Sequence, residues 1–220
     1  MIEKQYGIIG KPLSHSLSPT LHNFWFKKNN SKANYSLIEI EKNQISDIID
    51  KIRAKKLYGV NVTVPYKQEV IPYLDLIIND AKETSSVNTI YLNSENKIVG
   101  ENTDVYGFEQ SFVNKLKKMN LVKKNFLILG AGGVSPSLIY ALEKNKIRKI
   151  FISNRTFQKA ENIKKKFPFI EIILWEKIFQ EMANMDVVIN ATSLGMKNSY
   201  DFEISIKDFK SDLIYYDVIY

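Results

Sequence analysis

Short apolar runs rich in β-branched residues alternate with helical patterns along the whole chain, and this alternation limits the possible folds. The strand-like runs are residues 6–10, 35–40, 58–64, 87–92, 126–131, 149–154, 169–174, 186–191 and 213–220. The helical patterns include residues 19–29, 44–56, 105–118, 134–145 and 157–167. Most of the runs are apolar without alternation, so we expect strands buried on both faces in parallel sheets covered by helices. The sequence predicts an α/β fold.

A long helical pattern with a polar face separates two such series. We expect a first α/β domain over residues 1–104 with a mostly parallel sheet, a linking helix over 105–119, and a second, Rossmann-like domain over 120–220. Two α/β domains joined in this way usually leave a cleft between them, which is a common place for a ligand.

Composition and charge exclude several classes of protein. The chain of 220 residues has no cysteine, so a disulfide framework, a thiolate nucleophile and a cysteine-ligated metal site are excluded, as suits a reducing cytoplasm. No run approaches the roughly 20 apolar residues that span a bilayer, and the N-terminus does not resemble a signal peptide. We therefore expect a soluble cytoplasmic protein with no membrane partner.

The net charge of +7 raises the question of nucleic-acid binding. The lysines are spread along predicted helices with Glu, Asp and Asn between them, which is typical of solvated faces, so we expect no nucleic-acid partner. A positive balance also attracts an anionic small substrate or a phosphate-bearing cofactor.

The string "NFLILGAGGVSPSLIYAL" is a strand, a glycine-rich turn and a helix in direct succession. Gly130, Gly132 and Gly133 permit a tight turn and a close approach of the backbone to a ligand, and the amides that begin the helix then face an anion such as a pyrophosphate. Ser135 stands where the usual fingerprint has its third glycine. The alternative is a glycine turn that starts a helix and binds nothing.

The next predicted strand ends in Asn154-Arg155-Thr156, where an NAD-binding protein should have a carboxylate for the ribose 2′-hydroxyl. A guanidinium can instead hold a 2′-phosphate, so the sequence favours NADP over NAD. The alternative is an exposed charge at the start of a helix. A further buried strand ends in a small polar turn with Ala191, Thr192 and Ser193, where strand ends line a dinucleotide crevice.

Polar residues interrupt the apolar strands of the first half. They are Ser16 and Ser18 in the opening stretch "GKPLSHSLSPTLHN", Asn61, Thr63 and Lys67 in "NVTVPYK", Asn88 in "SSVNT", and Asn102, Thr103 and Asp104 in "ENTD". Each one alone fits a helix cap or a satisfied core residue. Because a buried polar group needs a partner and all of these lie near strand ends, together they predict a polar ligand site. We expect His15 and His22 to be structural.

The strings "SHSLSPTLHN", "GVNVTVPYK", "SVNT", "NTD", "LGAGGVSPS", "NRT" and "NATSLGM" give the chain a resemblance to the shikimate dehydrogenase family, in the family's order and near its spacing. The resemblance implies an NADP-linked oxidoreductase that interconverts 3-dehydroshikimate and shikimate in aromatic amino-acid biosynthesis. It also implies a substrate-binding catalytic domain followed by an NADP-binding domain. A homodimer is compatible with it.

The resemblance also implies roles for individual residues. Lys67 and Asp104 match the family's catalytic pair. The substrate-binding residues would be Ser16 and Ser18 for the carboxylate, and Thr63, Asn88, Lys67, Asp104 and Tyr220. The cofactor pyrophosphate would bind Gly130, Ala131, Gly132, Gly133, Val134 and Ser135. Asn154, Arg155 and Thr156 would hold the 2′-phosphate, and Ala191, Thr192 and Ser193 would complete the cofactor site.

Three departures from the family pattern set expectations of their own. Val105 replaces the glycine that usually follows "NTD" and is expected to stiffen or shift the turn at Asp104. Ser85-Ser86 replaces a Gly-Ala pair. The chain stops at "YYDVIY" where family members continue, so we expect a truncated sequence of weak or absent activity. Two alternatives stay open: a quinate/shikimate dehydrogenase that prefers NAD, and a non-catalytic ligand-binding homologue.

Overall fold

A computed structural model describes residues 3–116, 118–195 and 209–219. The chain divides into two compact units, Met1–Asp104 and Val105–Tyr220. Both units combine sheets and helices, so the predicted α/β fold is confirmed. Within the described ranges, no helix has both the length and the apolar character needed to cross a lipid bilayer.

The first unit is a six-stranded sheet with three α-helices. Its strands are β1 (Lys4–Gly10), β2 (Ala33–Glu39), β3 (Gly59–Val62), β4 (Leu76–Ile77), β5 (Thr89–Leu92) and β6 (Ile98–Glu101), and its helices are α1 (Ser18–Lys28), α2 (Ile45–Arg53) and α3 (Asp80–Thr84). The strand order is β2-β1-β3-β5-β6-β4. β5 pairs antiparallel with both neighbours, and the other three pairings are parallel.

The reversal of β5 decides which loops meet. β1, β3 and β6 run in one direction and β5 runs in the other. The segments that follow β1, β3 and β6 therefore lie at the same end of the strands as the segment that precedes β5. Apart from Asn61, which lies within β3, the polar residues singled out in the first half of the sequence all lie in those four segments. The fold thus brings these polar residues to one end of the sheet.

Two helices of the first unit meet the sheet in different ways. α2 buries Ile45, Ile48, Ile49 and Ile52, which follow the helical spacing, in a core shared with the inner face of the sheet. α1 has no fully buried residue. It is joined to the edge strand β2 by Asn23, whose side-chain amide donates to the carbonyl of Tyr35 and accepts from its N–H, both at 2.9 Å. An edge strand's outward backbone groups are satisfied there by a side chain.

The described residues of the second unit form a fully parallel five-stranded sheet. Its strands are β7 (Phe126–Leu129), β8 (Ile150–Ser153), β9 (Glu171–Ile172), β10 (Val187–Asn190) and β11 (Ile214–Asp217). Its helices are α4 (Asp104–Phe108), whose first residue is the last of the first unit, α5 (Ser135–Lys144), α6 (Phe157–Lys166) and α7 (Ile178–Met182). The order β11-β10-β7-β8-β9 places the first strand of the unit in the middle, with later strands added on each side. This is the doubly wound, Rossmann-like order, and ligands bind such sheets where the order reverses, here at the carboxyl end of β7.

The segment that we expected to be a linking helix belongs to the core of the second unit. α4 continues as a π-helix over Glu109–Val113. Val105, Phe108 and Phe112 are buried among residues of β7 and α5, and Phe108 stacks on Phe112 with ring centroids 5.2 Å apart. Packing against its own unit accounts for the apolar face of this segment.

Candidate active site

The ammonium of Lys67 lies 2.7 Å from Oδ2 of Asp104. Lys67 follows β3 and Asp104 begins α4. The pair therefore joins two segments, 37 residues apart in the chain, at the same end of the sheet. The side chains are only 11% and 22% exposed. An ion pair so far removed from water interacts more strongly than a surface pair and has a fixed geometry.

Asn88 holds the other end of the same carboxylate. Its side-chain amide donates to Oδ1 of Asp104 at 2.8 Å and to Oγ1 of Thr103 at 2.9 Å, while its oxygen accepts from the N–H of Thr103 at 3.0 Å. The N–H of Asp104 donates to Oδ1 of Asn102 at 2.9 Å, so Asp104 is held by both main chain and side chain. Three residues predicted for one site, Lys67, Asn88 and Asp104, are therefore in direct contact.

Val105 does not prevent this arrangement. Its side chain is fully buried in the second core, while Asp104 keeps its contacts with Lys67 and Asn88. Ser85 has φ +48°, a left-handed conformation that glycine adopts more easily than serine. This backbone conformation is a physical reason for the glycine that the family usually has at this position.

The two serines of the opening stretch lie at the start of α1. Oγ of Ser16 donates to Oγ of Ser18 at 3.1 Å, and the N–H of Ser18 donates to Oγ of Ser16 at 3.3 Å. Hydroxyls beside the N-terminus of an eleven-residue helix form a polar surface suited to a carboxylate. The loop is anchored by Leu13, which is 3% exposed and whose N–H donates to Oε2 of Glu39 at 2.9 Å.

Thr63 lies next to the beginning of that loop. Its N–H donates to the carbonyl of Ile9 at 2.9 Å. A Cβ on Gly10 would come within 2.5 Å of Cγ2 of Thr63, which shows how closely the ends of β1 and β3 approach. Tyr220, the last residue predicted for the substrate site, lies outside the described residues.

Of the two histidines, His22 packs against the core and His15 is exposed. The His22 ring stacks on the Tyr35 ring, with centroids 4.2 Å apart and planes 9° from parallel. Burial lowers the pKa of His22 below its ordinary value, because the charged ring would lose hydration.

The turn after β7 approaches the turn after β10 closely. Gly130 has φ +105°, and a Cβ there would lie 2.7 Å from the carbonyl oxygen of Ala191 and 3.0 Å from the nitrogen of Thr192. Only glycine fits this position, because a side chain would be strained in its backbone and would collide with main-chain atoms. At Gly132, by contrast, an added Cβ would have no protein atom within 4 Å, so the backbone at Gly132 faces open space.

The residues after Gly132 lead into α5. Val134 precedes the helix, and Ser135 begins it, donating from Oγ to the carbonyl of Gly130 at 2.8 Å. Ser135 thus ties the helix start to the turn through a hydrogen bond that a glycine at this position would not form. Ala131 behaves differently, because its N–H donates to Oδ1 of Asn154 at 3.0 Å and is engaged within the protein.

The loop after β8 contains the predicted 2′-phosphate residues. Asn154 links two loops, since it accepts from Ala131 and donates to the carbonyl of Thr156 at 2.9 Å. Its amide is therefore committed to shaping the turn. Arg155 is exposed and makes no side-chain hydrogen bond or ion pair to any other residue in the described part of the chain. Its guanidinium is available for an anion.

The turn after β10 is held by Asn190. Oδ1 of Asn190 accepts from the hydroxyl of Thr192 at 2.7 Å and from its N–H at 3.1 Å. The N–H of Ala191 donates to the carbonyl of Leu129, and Ser193 is exposed. This places Ala191, Thr192 and Ser193 beside the glycine turn at the carboxyl end of β7.

Two contributors to the first site were not predicted. Thr89 donates from Oγ1 to Oδ1 of Asn88 at 3.1 Å, and the Tyr35 hydroxyl donates to Oδ1 of Asn61 at 2.7 Å. Both lie inside strands, where a threonine and a tyrosine are ordinary β-formers. No local sequence signal distinguishes them.

Comparisons with known proteins agree with the motifs. A family model described as the shikimate dehydrogenase substrate binding domain matches residues 8–90, and one described as shikimate / quinate 5-dehydrogenase matches residues 113–199. The chain is 45% identical over 219 residues to a curated protein of Pelagibacter ubique named shikimate dehydrogenase (NADP(+)), covering all of this chain and 80% of that protein.

Solved structures are similar over the same extent. A crystal structure of shikimate dehydrogenase from Aquifex aeolicus is 37% identical with a TM-score of 0.86, covering 100% of this chain and 81% of that one. The Thermus thermophilus shikimate 5-dehydrogenase in complex with NADP(H) and shikimate is 25% identical with a TM-score of 0.81, covering 97% and 78%.

Proposed function

Because the chain belongs to the shikimate dehydrogenase family, we propose that it interconverts 3-dehydroshikimate and shikimate with NADP(H). This step belongs to the shikimate pathway of aromatic amino-acid biosynthesis. The single observation that carries the proposal is the shielded ion pair of Lys67 and Asp104, 2.7 Å apart and held by Asn88.

Lys67 and Asp104 form the proposed catalytic pair. Reduction of a ring ketone builds negative charge on its oxygen, and a lysine ammonium can both stabilise that charge and supply a proton. Asp104 orients the ammonium through the 2.7 Å contact with its Oδ2. In the oxidation direction the neutral amine of the same lysine would accept the hydroxyl proton and become the ammonium again.

The other polar residues of the first unit would bind the substrate. Ser16 and Ser18 would hold its carboxylate, supported by their adjacent hydroxyls at the start of α1. Thr63 and Asn88, with the catalytic pair, would hold the ring hydroxyls. We assign Tyr220 to this set on the family pattern alone. A site of this kind rejects an analogue lacking one hydroxyl, because a buried polar group is then left unpaired.

The second unit would hold the cofactor, which supplies the hydride when bound. The open backbone at Gly132, together with Gly130, Gly133, Val134 and Ser135 at the start of α5, suits a pyrophosphate. Arg155 would pair with the 2′-phosphate, while Asn154 shapes the loop around Arg155 and Thr156. Ala191, Thr192 and Ser193 would complete the wall of the site.

The proposed division of labour follows the two units. Residues 1–104 would form the substrate-binding catalytic domain, and the residues from 120 onward the NADP-binding domain, with 105–119 packed on the latter. We further propose a cytoplasmic location, which the absence of cysteine fits. A homodimer is compatible with the proposal.

Quinate oxidation with NAD is a second candidate function, favoured by the family description that names both shikimate and quinate. Arg155 argues against it, because its guanidinium is exposed, pairs with no carboxylate among the described residues, and suits a 2′-phosphate that NAD lacks. A homologue that binds ligand without turnover would have little need of the intact Lys67–Asp104 pair.

The deciding experiment measures NADPH formation by the purified chain with shikimate and NADP, and repeats it with quinate and with NAD. We expect turnover with shikimate and NADP to exceed that of every other combination. Faster turnover with quinate and NAD would replace the proposal by the second candidate. If calorimetry found binding of both ligands but no NADPH formed, the chain would be a non-catalytic homologue.

A further inference from the structure

We propose that Tyr35 is a positioning residue for the Lys67–Asp104 pair, acting through Asn61 and Asn88. The effect on catalysis rests on the proposed function. The hydrogen bonds themselves lie within the first unit and can be tested separately.

The first link crosses the sheet. Tyr35 lies on the edge strand β2 and Asn61 on β3, with β1 between them. The Tyr35 side chain reaches over β1, and its hydroxyl donates to Oδ1 of Asn61 at 2.7 Å. Tyr35 is 4% exposed, so this hydrogen bond forms away from water. Removing the hydroxyl would therefore leave Oδ1 of Asn61 without this donor and without water to replace it.

The second link depends on which way the Asn61 amide faces. Because Oδ1 accepts from Tyr35, Nδ2 faces β5, where it donates to the carbonyl of Asn88 and to Oγ1 of Thr89, both at 3.2 Å. Asn61 and Thr89 are direct cross-strand partners, so the strand register brings them together. The Tyr35 hydroxyl and the Asn88 carbonyl therefore favour the same orientation of the amide, one from each side.

The last link reaches the catalytic pair. Oδ1 of Asn88 accepts from Thr89 Oγ1 at 3.1 Å and from the N–H of Thr103 at 3.0 Å, and the Asn88 amide nitrogen then faces Oδ1 of Asp104 at 2.8 Å. A continuous series of hydrogen bonds therefore runs from Tyr35 to the carboxylate that holds Lys67. Each donor in the series supports the orientation of the next acceptor, so the loss of the first hydroxyl weakens the hold on Asp104.

Tyr35 itself is fixed from two sides. Asn23 on α1 pairs with both of its backbone polar groups, and the His22 ring stacks on its face at 4.2 Å. A phenol held in this way keeps its hydroxyl in place, which a positioning residue requires. Phenylalanine would keep the ring and its packing while removing the hydroxyl alone.

Tyr35→Phe tests the proposal, and Tyr66→Phe is its matched control. Tyr66 is also 4% exposed, and its hydroxyl donates to a main-chain carbonyl, that of Ile40, at 2.8 Å. We expect Tyr35→Phe to lower kcat about three- to tenfold, the worth of one buried hydrogen bond, with the affinity for NADP unchanged. Tyr66→Phe should leave kcat within about twofold, although both variants lose stability.

A double-variant comparison separates positioning from general loosening. If Tyr35 acts through Asn88, Tyr35→Phe should lower kcat by less than about twofold in an Asn88→Ala background, because the series is already broken there. An undiminished loss in that background, or equal losses for Tyr35→Phe and Tyr66→Phe, would overturn the proposal.

A spectroscopic measurement needs no substrate. In protein labelled with ¹⁵N-asparagine, the side-chain amide signals of Asn88, assigned by their loss in Asn88→Ala, should move in Tyr35→Phe and stay in place in Tyr66→Phe. Unmoved signals would overturn the series even in an active enzyme. Moved signals in a protein that forms no NADPH would sustain the series and reject the proposed function.

Discussion

Both oxygens of the Asp104 carboxylate are engaged, Oδ2 by the Lys67 ammonium at 2.7 Å and Oδ1 by the Asn88 amide at 2.8 Å. A carboxylate held at both oxygens cannot rotate away from its lysine. The ammonium is therefore presented to a ligand in one orientation, which lowers the cost of ordering it during the reaction.

Lys67→Ala should lower kcat about 10²- to 10⁴-fold, because it removes the group that stabilises and protonates the developing oxyanion. The affinity for NADP should stay within about twofold, since the proposed cofactor residues belong to the second unit. Steady-state kinetics and calorimetry with NADP measure the two effects. Lys42→Ala is the control, because Lys42 is an exposed lysine of the same unit that pairs with Glu69. Wild-type turnover in Lys67→Ala would assign catalysis to another residue.

Gly130→Ala and Gly132→Ala should separate folding from cofactor binding. At Gly130 the added methyl group would lie 2.7 Å from a main-chain oxygen, in a backbone conformation with φ +105°, so we expect a loss of both thermal stability and NADP affinity. At Gly132 the methyl group meets no protein atom, so stability should be kept while the methyl group obstructs the pyrophosphate. Thermal melts and NADP titrations of both variants give the comparison. Unchanged NADP affinity in Gly132→Ala would place the pyrophosphate elsewhere.

The sequence allowed the parallel second unit to be predicted more fully than the mixed first unit. The helical patterns at 134–145 and 157–167 correspond to α5 and α6, and each buried apolar run of this half contains a strand. In the first unit, the two-residue strand β4 and the strand β6 had no pattern long enough to recognise. The reversed direction of β5 is set by its pairing with β3 and β6, which a local pattern does not contain.

The candidate site shows the same division. Lys67, Asn88 and Asp104 were singled out because polar residues at strand ends are unusual, and the structure brings them into contact. Tyr35 looks like any strand tyrosine, and its link to Asn61 arises only when β1 separates the two strands by the right distance. Likewise, the hydrogen bond from the N–H of Ala131 to Oδ1 of Asn154, which links the turns after β7 and β8, depends on the parallel pairing of these two strands.

Arg155→Asp should weaken NADP far more than NAD. The exposed guanidinium has no partner to release within the described residues, so replacement costs little stability, and a carboxylate there would repel a 2′-phosphate while accepting a ribose 2′-hydroxyl. The ratio of kcat/KM for the two cofactors measures the change. Arg148→Asp serves as control, because Arg148 pairs with Glu143 on the surface of the same unit. Equal losses for NADP and NAD would remove Arg155 from the 2′-phosphate site.

His22 should make the stability of the protein fall as the pH drops below about 6.5, the ordinary pKa of histidine. Burial against Tyr35 lowers the pKa of His22 in the folded state, so between the folded and unfolded pKa values the unfolded chain binds more protons. The contribution of neutral His22 is therefore fully present above the unfolded pKa and is lost as the pH falls towards the folded one.

Urea denaturation at pH 7.5 and pH 5.5 measures this contribution. His22→Gln should be less stable than the wild type at pH 7.5, because the stacked ring is gone, but should lose less stability between the two pH values. His15→Gln is the matched control, because it also removes a histidine, but an exposed one, and it keeps the His22 ring stacked on Tyr35. If His22→Gln and the wild type lost equal stability on acidification, another group would govern the pH dependence.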